Sequence, residues 1–249
     1  MIDVGDRDDI RVLTLSHGKA SALDIELCGA VADRLEESRS ASCSAIVMTG
    51  RGAIFSAGVD LVRLVDGGPR YAASFLPALR RVLEAVFTFP KPLVAAVNGH
   101  AIAGGCVLAC AADRRLMARG PGRIGMPELL VGVPFPSIVL EIVRFASDPR
   151  HLSHLVLGGA TMTADDAAAH GLVDDVTEPG SLLDDAVAAA RMLAARPAHL
   201  FAMTKRQLRA PALERVQKSV ADDAQVDAIW SSPATIDAVR GYIDRTFRK

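Results

Sequence analysis

The sequence predicts an α/β fold that gives way to a mainly helical second half. Short β-branched runs, IRVLTL (10–15), SAIVMTG (44–50) and PLVAAV (92–97), alternate with longer stretches of helical periodicity. Strand, helix, strand at this spacing calls for crossover connections. From about Ser137 onward the strand-like runs nearly cease. Half of the 249 residues are apolar, which suffices for a sizeable core in one large domain, or one domain with a small appendage.

The elements follow in order. After IRVLTL, a helix is expected over Leu23 to Glu37, with Asp24 placed to cap it. SAIVMTG follows, and then Asp60 stands where it can cap or open a helix. Tyr71 to Phe87 reads as the next helix, ended by Pro90 and Pro92 before PLVAAV. Gly105 to Ala112 reads as a third. Beyond Ser137, helices are broken by Gly158-Gly159, Gly171, Pro179-Gly180, Pro197 and Pro211, with one strand-like LVDDV (172–176). Leu182 to Ala194 carries apolar residues at 182, 183, 186, 187, 190, 193 and 194, a helical stripe that must pack on something. Leu213 to Trp230 and Thr235 to Arg248 carry similar stripes, to be covered by their own core or by a partner subunit.

Composition excludes several classes. With 28 basic and 29 acidic residues, no overall field draws the chain to nucleic acid or to an anionic membrane, so an anionic ligand must be held by local contacts. The N-terminal MIDVGDRDDIRVLTL is acidic and lacks the apolar stretch of a signal peptide. No run approaches the roughly 20 apolar residues of a membrane span. A cytoplasmic protein is expected. The cysteines, at 28, 43, 106 and 110, form no CxxC, and Cys106 and Cys110, one helical turn apart, read as small core residues. His151 and His154 have helical spacing without nearby acids or cysteines in sequence, so no metal site is expected.

Chemistry is concentrated at two glycine turns. In FSAGVDL (55–61), Gly58 sits in a strand-to-helix turn, and the amides of Val59 and Asp60 would point outward at a helix start. Gly104-Gly105 precedes the helix that continues through Val107. Each turn alone also reads as a tight turn made for packing. Two turns offering N–H groups to one carbonyl oxygen would form an oxyanion hole, where fixed dipoles stabilise developing negative charge.

FSAGVDL, followed by VNGHAIAGGCVLACAAD and then by GMPELLVGVP, resembles the crotonase (enoyl-CoA hydratase/isomerase) superfamily in motif content, order and spacing. SHGKASALD (16–24) is similar to its early CoA-contacting loop, with Ser21 where asparagine is usual. TMTADDAAAHGLVDDV and MTKRQLR resemble its later segments. The resemblance implies a ClpP-like fold of repeated ββα units over 1–195. A helical trimerisation region over 196–249 would follow, giving a homotrimer or a dimer of trimers. It also implies an acyl-CoA thioester substrate, with coenzyme A as part of that substrate and no separate cofactor. By position, the N–H groups of Val59 and Gly104 would hold the thioester oxygen. Ala20, Ala22, Ala57, Gly58, Asp60 and Leu61 would line the CoA path, and Lys19 would approach the phosphates.

The reaction depends on the acids. Hydratases of the superfamily carry two glutamates, and the matching positions here are Val107 and Glu128. An apolar Val107 cannot position water. One carboxylate suffices to move a double bond from C3–C4 to C2–C3, by taking a proton from C2 and returning it at C4. An apolar neighbour such as Val107 would exclude water and raise the carboxyl pKa. The single glutamate is similar to the superfamily's 3,2-trans-enoyl-CoA isomerases, and Pro136, where dienoyl-CoA isomerases place an aspartate, argues against that activity. Alternatives are a hydratase using Glu128 with another acid, a non-catalytic acyl-CoA binding protein, and a hydrolase or decarboxylase. Glu141 is either a second acid reaching the pocket or, the reading preferred, a surface residue paired with Arg144 three positions on. His100 is expected to support the loop.

Overall fold

A computed structural model of the chain describes residues 1–247. The first strands, β1 (Ile2–Arg7) and β2 (Ile10–Leu15), form an antiparallel hairpin. Next come α1 (Ile25–Ser40), β3 (Ala45–Gly50), β4 (Ile54–Ser56), α2 (Leu61–Phe87), β5 (Leu93–Val97), β6 (His100–Ile102), α3 (Gly104–Cys110), β7 (Arg114–Ala118), β8 (Ile124–Gly125) and α4 (Glu128–Val131). A long strand, a short strand and a helix thus recur three times. This is the ββα repeat that the resemblance implied. The rest comprises α5 (Ser137–Ala146), α6 (Leu152–Gly158), β9 (Thr161–Met162), α7 (Ala164–Ala169), β10 (Asp175–Thr177), α8 (Leu182–Ala194), α9 (Ala198–Lys218), α10 (Val220–Trp230) and α11 (Pro233–Phe247).

The long strands make a six-stranded sheet in the order β1-β2-β3-β5-β7-β10, parallel except for β1, and the short ones make a second sheet, β4-β6-β8-β9. Alternate residues of the large sheet serve two cores, as the period-2 geometry of a strand requires. Val12, Val47, Val94 and Leu116 face the stripe of α8, where Leu182, Ala186, Val187 and Ala190 are buried and Leu183, Leu193 and Ala194 pack beside them. Leu13, Met48, Ala95 and Met117 join the main core with α1, α2 and α3.

Several elements depart from the sequence reading for identifiable reasons. The strand β1 was not foreseen because every residue in it is exposed or half-buried, as befits a sheet edge without an apolar face. Helix α2 begins at Leu61, not Tyr71: Asp60 caps it, accepting from the Arg63 amide at 2.9 Å, and the helix kinks at Gly68, whose φ of 59° suits glycine. LVDDV is a strand only from Asp175, because Leu172 and Val173 enter the core with both amides on the Ala167 carbonyl. The expected helix over Leu213 to Trp230 divides at Ser219 into α9 and α10. Arg248, the expected end of the last helix, lies outside the described residues.

Pro211 does not break α9, although it forfeits one N–H. The helix is pinned elsewhere. Asp113 accepts from Lys205 at 2.7 Å, from Arg209 at 2.8 Å and from the Leu93 amide at 2.8 Å. Arg209 also donates to the carbonyls of Phe87, Ala111 and Ala112, at the ends of α2 and α3. Both cations are buried, and burial pushes Lys205 down to about 8. Asp113→Ala would strand them without a counter-charge, so the variant should lose about 3–5 kcal/mol of stability in a denaturant titration. An unchanged midpoint would contradict this account.

Candidate active site

The turn after β4 is fastened to the early loop. The amide of Ala57 donates to Ala20 O at 3.0 Å, that of Leu23 to Gly58 O at 2.7 Å, and that of Asp60 to Leu23 O at 2.9 Å. Ser56 Oγ donates to Ser21 O at 2.8 Å. Asp24, almost fully buried, caps α1 through the Leu27 amide and also holds His17 Nε2 and Arg63, each at 2.7 Å. Loop 16–24 is thereby clasped to the start of α2.

The two glycine turns meet backbone to backbone. At Gly58, with φ of 82°, a Cβ would lie 2.5 Å from Ile102 O, and at Gly105 it would lie 2.3 Å from Ser56 O. No side chain fits either place. Gly104 opens α3, so its N–H has no intrahelical acceptor. The preceding Ala103 holds φ 51° and ψ −124°, a strained conformation for a residue with a Cβ, of the kind that gathers at functional sites.

Beside these turns lies a cavity of about 90 Å³ whose lining includes Ala57, Val59, Leu61, Gly104 and Glu128. Glu128 is the first residue of α4 and is 8% exposed. Its Oε2 is buried without a hydrogen-bond partner. Loss of water around the carboxylate, opposed only in part by a backbone hydrogen bond, pushes its pKa up to about 8. Of the two amides expected to point outward after Gly58, that of Asp60 is spent on Leu23 O, so the cavity sets one poised base beside the amides of Val59 and Gly104.

The sequence profile described as Enoyl-CoA hydratase/isomerase matches residues 6–242. The chain belongs to the enoyl-CoA hydratase/isomerase family. A putative enoyl-CoA hydratase of Thermus thermophilus is 37% identical over 66% of this chain and 65% of its own length. The peroxisomal enoyl-CoA delta isomerase 1 of Arabidopsis thaliana is 30% identical over 70% of this chain and 74% of its own. The fold matches human mitochondrial delta3-delta2-enoyl-CoA isomerase at a TM-score of 0.92, covering 98% of this chain and 97% of that one at 24% identity. Relatives named as hydratases and as isomerases stand side by side.

In this member of the hydratase/isomerase family, the residues expected around CoA divide by position. Ala57, Val59 and Leu61 line the cavity. Gly58 is buried in the turn, Ala20 and Ala22 are half-buried in the clasped loop, and Lys19 is exposed on it. The Asp60 side chain is engaged in capping α2. Val107 is fully buried in α3 and is not among the cavity's lining residues, whereas the apolar Pro127, Val131 and Val133 line the cavity together with Glu128.

Glu141 corrects the expectation of a surface residue. It is buried, yet it does not line the cavity: Oε1 accepts from Arg144 at 3.2 Å, as expected, and Oε2 accepts from Arg215 of α9 at 2.6 Å. Sequence separation hid that second partner. His100 does support the loop, with Nδ1 accepting from the Arg123 amide at 3.3 Å, and Cys106 and Cys110 are buried free thiols. The sequence reading missed Leu79, Phe135, Val139, Trp230 and Tyr242 as cavity walls. They come from α2, α5, α10, α11 and the segment before α5, and only their membership in apolar stripes marks them as inward-facing.

Proposed function

We propose that this protein shifts the double bond of a 3-enoyl-CoA to give 2-trans-enoyl-CoA, with Glu128 as its only proton shuttle. The observation that carries this reading is that Glu128 is the one carboxylate lining the cavity among the described residues, with an oxygen left unpartnered. Ionised Glu128 takes the proton from C2. The electron pair delocalises into a dienolate, whose thioester oxygen is held by the N–H groups of Val59 and Gly104. The new acid then returns the proton at C4, leaving the double bond at C2–C3. No water is consumed. A carboxyl with a raised pKa is a stronger base when ionised and holds its proton long enough to deliver it.

Hydration has support in the names of several relatives, but it needs a second group to manage water, and Glu141 is tied to two arginines away from the cavity. A protein that only binds acyl-CoA gains nothing from a desolvated carboxylate, whose burial is costly. Coenzyme A enters as part of the substrate, and exposed Lys19 would meet its phosphates. A trimer or dimer of trimers belongs to the same reading, supported by the exposed Leu200, Met203 and Leu208 of α9.

The test compares 3-enoyl-CoA and 2-enoyl-CoA thioesters of several lengths. Isomerisation should far outrun hydration, and equal rates with 3-hexenoyl-CoA and crotonyl-CoA would overturn the proposal. The base works only when ionised and its pKa lies at about 8, so kcat/KM should rise with pH and level off above that value. A flat profile from pH 6 to 9 would assign the proton transfer to another group.

A further inference from the structure

We infer that Trp230 is the end wall of the acyl chamber and confines this protein to short acyl chains. The inference rests on the proposed acyl-CoA site and concerns the group that occupies it. Val59, Gly104 and Glu128 line one cavity with Trp230, and apart from Glu128 and the phenol of Tyr242 the side chains around it are apolar. An apolar cavity of roughly 150 Å³ holds a six-carbon benzene ring, so one of about 90 Å³ has no room for a long acyl chain.

The wall is fixed rather than hinged. Trp230 is 2% exposed, and its Nε1 donates to Pro134 O at 2.8 Å, so one edge of the indole is tied to a residue that itself lines the cavity. The ring also packs on fully buried Phe75, with centroids 6.4 Å apart and planes tilted by 40°. Helix α10, which carries Trp230 at its end, is held in turn at two acids. Asp227 takes Arg80 of α2 at 2.6 Å, and Asp223 takes the amide and hydroxyl of Ser137 at the start of α5, at 2.8 and 2.6 Å. A longer chain would have to displace an indole that is hydrogen-bonded on one edge and seated on a fastened helix.

Trp230 is the only tryptophan in the chain, so the wall reports its own contacts by fluorescence. Saturated acyl-CoA thioesters do not react, and their binding separates the chamber from the chemistry. Butyryl-CoA should change the emission of the wild type while free CoA should not. A single methylene in an apolar pocket is worth about tenfold in discrimination, so butyryl- and hexanoyl-CoA should bind at least about tenfold more tightly than decanoyl-CoA.

Trp230→Ala should reverse that order in calorimetric titrations, and Trp230→Phe, which keeps most of the wall, should preserve it. Decanoyl-CoA bound by the wild type as tightly as butyryl-CoA would overturn the inference, whether or not the alanine variant folds. So would an emission unmoved by saturating butyryl-CoA. Short-chain preference without isomerase turnover would support the wall while refuting the proposed reaction, and turnover without the preference would do the reverse.

Discussion

Glu128→Gln should lower the conversion of a 3-enoyl-CoA to 2-trans-enoyl-CoA by about 10²- to 10⁴-fold, the range expected when a positioned general base is removed. The amide keeps the size of the side chain but cannot take the C2 proton. The loss should appear in kcat, with binding of a saturated acyl-CoA little changed, because the N–H groups of Val59 and Gly104 remain in place. Undiminished turnover would exclude Glu128 as the base. A stability signature accompanies the kinetic one. The carboxyl has an ordinary pKa of 4.5 when exposed and about 8 in the folded protein, so between those values the folded state binds more protons than the unfolded one. Ionising Glu128 therefore weakens the fold as pH rises through that window. Glutamine has no such dependence, and the melting temperature of the variant relative to wild type should move upward between pH 5 and pH 8.

The parts of this site legible in the sequence were those made by backbone or by a single side chain in a local motif. Gly58 and Gly104-Gly105 are written into short turns, and the structure gives their physical reason: a Cβ at Gly58 or Gly105 would strike a carbonyl oxygen of the other turn. Glu128 stood out because the GMPELLVGVP segment resembles the one in which the superfamily carries its second glutamate, and in the structure it opens the short helix α4. Asp24 and Asp60 were readable as caps for the same local reason, and both accept the amide three residues on. What the sequence could not display was anything assembled across long separations. Trp230 meets Pro134, and Arg215 neutralises Glu141, through helices whose stripes fix an inward face but not a neighbour. The same limit hid β7, whose Arg114 and Arg115 pair with Asp175 and Asp174 far along the chain.

Gly104→Pro should reduce kcat by at least about 10²- to 10³-fold, the usual consequence of losing one oxyanion donor. Proline at the first helical position removes the N–H that no intrahelical carbonyl uses, and its fixed φ is compatible with a helix start. The residue before it is the weaker point. Proline drives its predecessor toward extended geometry, whereas Ala103 sits at φ 51° and ψ −124°, so the turn must relax and carry the donor position with it. Thermal unfolding separates this local loss from a failure to fold. Gly104→Ala supplies the second control, because it keeps the N–H and the one close approach of its Cβ is to the end of the Leu23 side chain, 2.8 Å away, with Gly58 and Val59 at an ordinary 3.9 Å. The alanine variant should retain most of the rate that proline abolishes. A folded Gly104→Pro enzyme with wild-type turnover would remove this amide from the hole and leave Val59 and some other donor to hold the thioester oxygen.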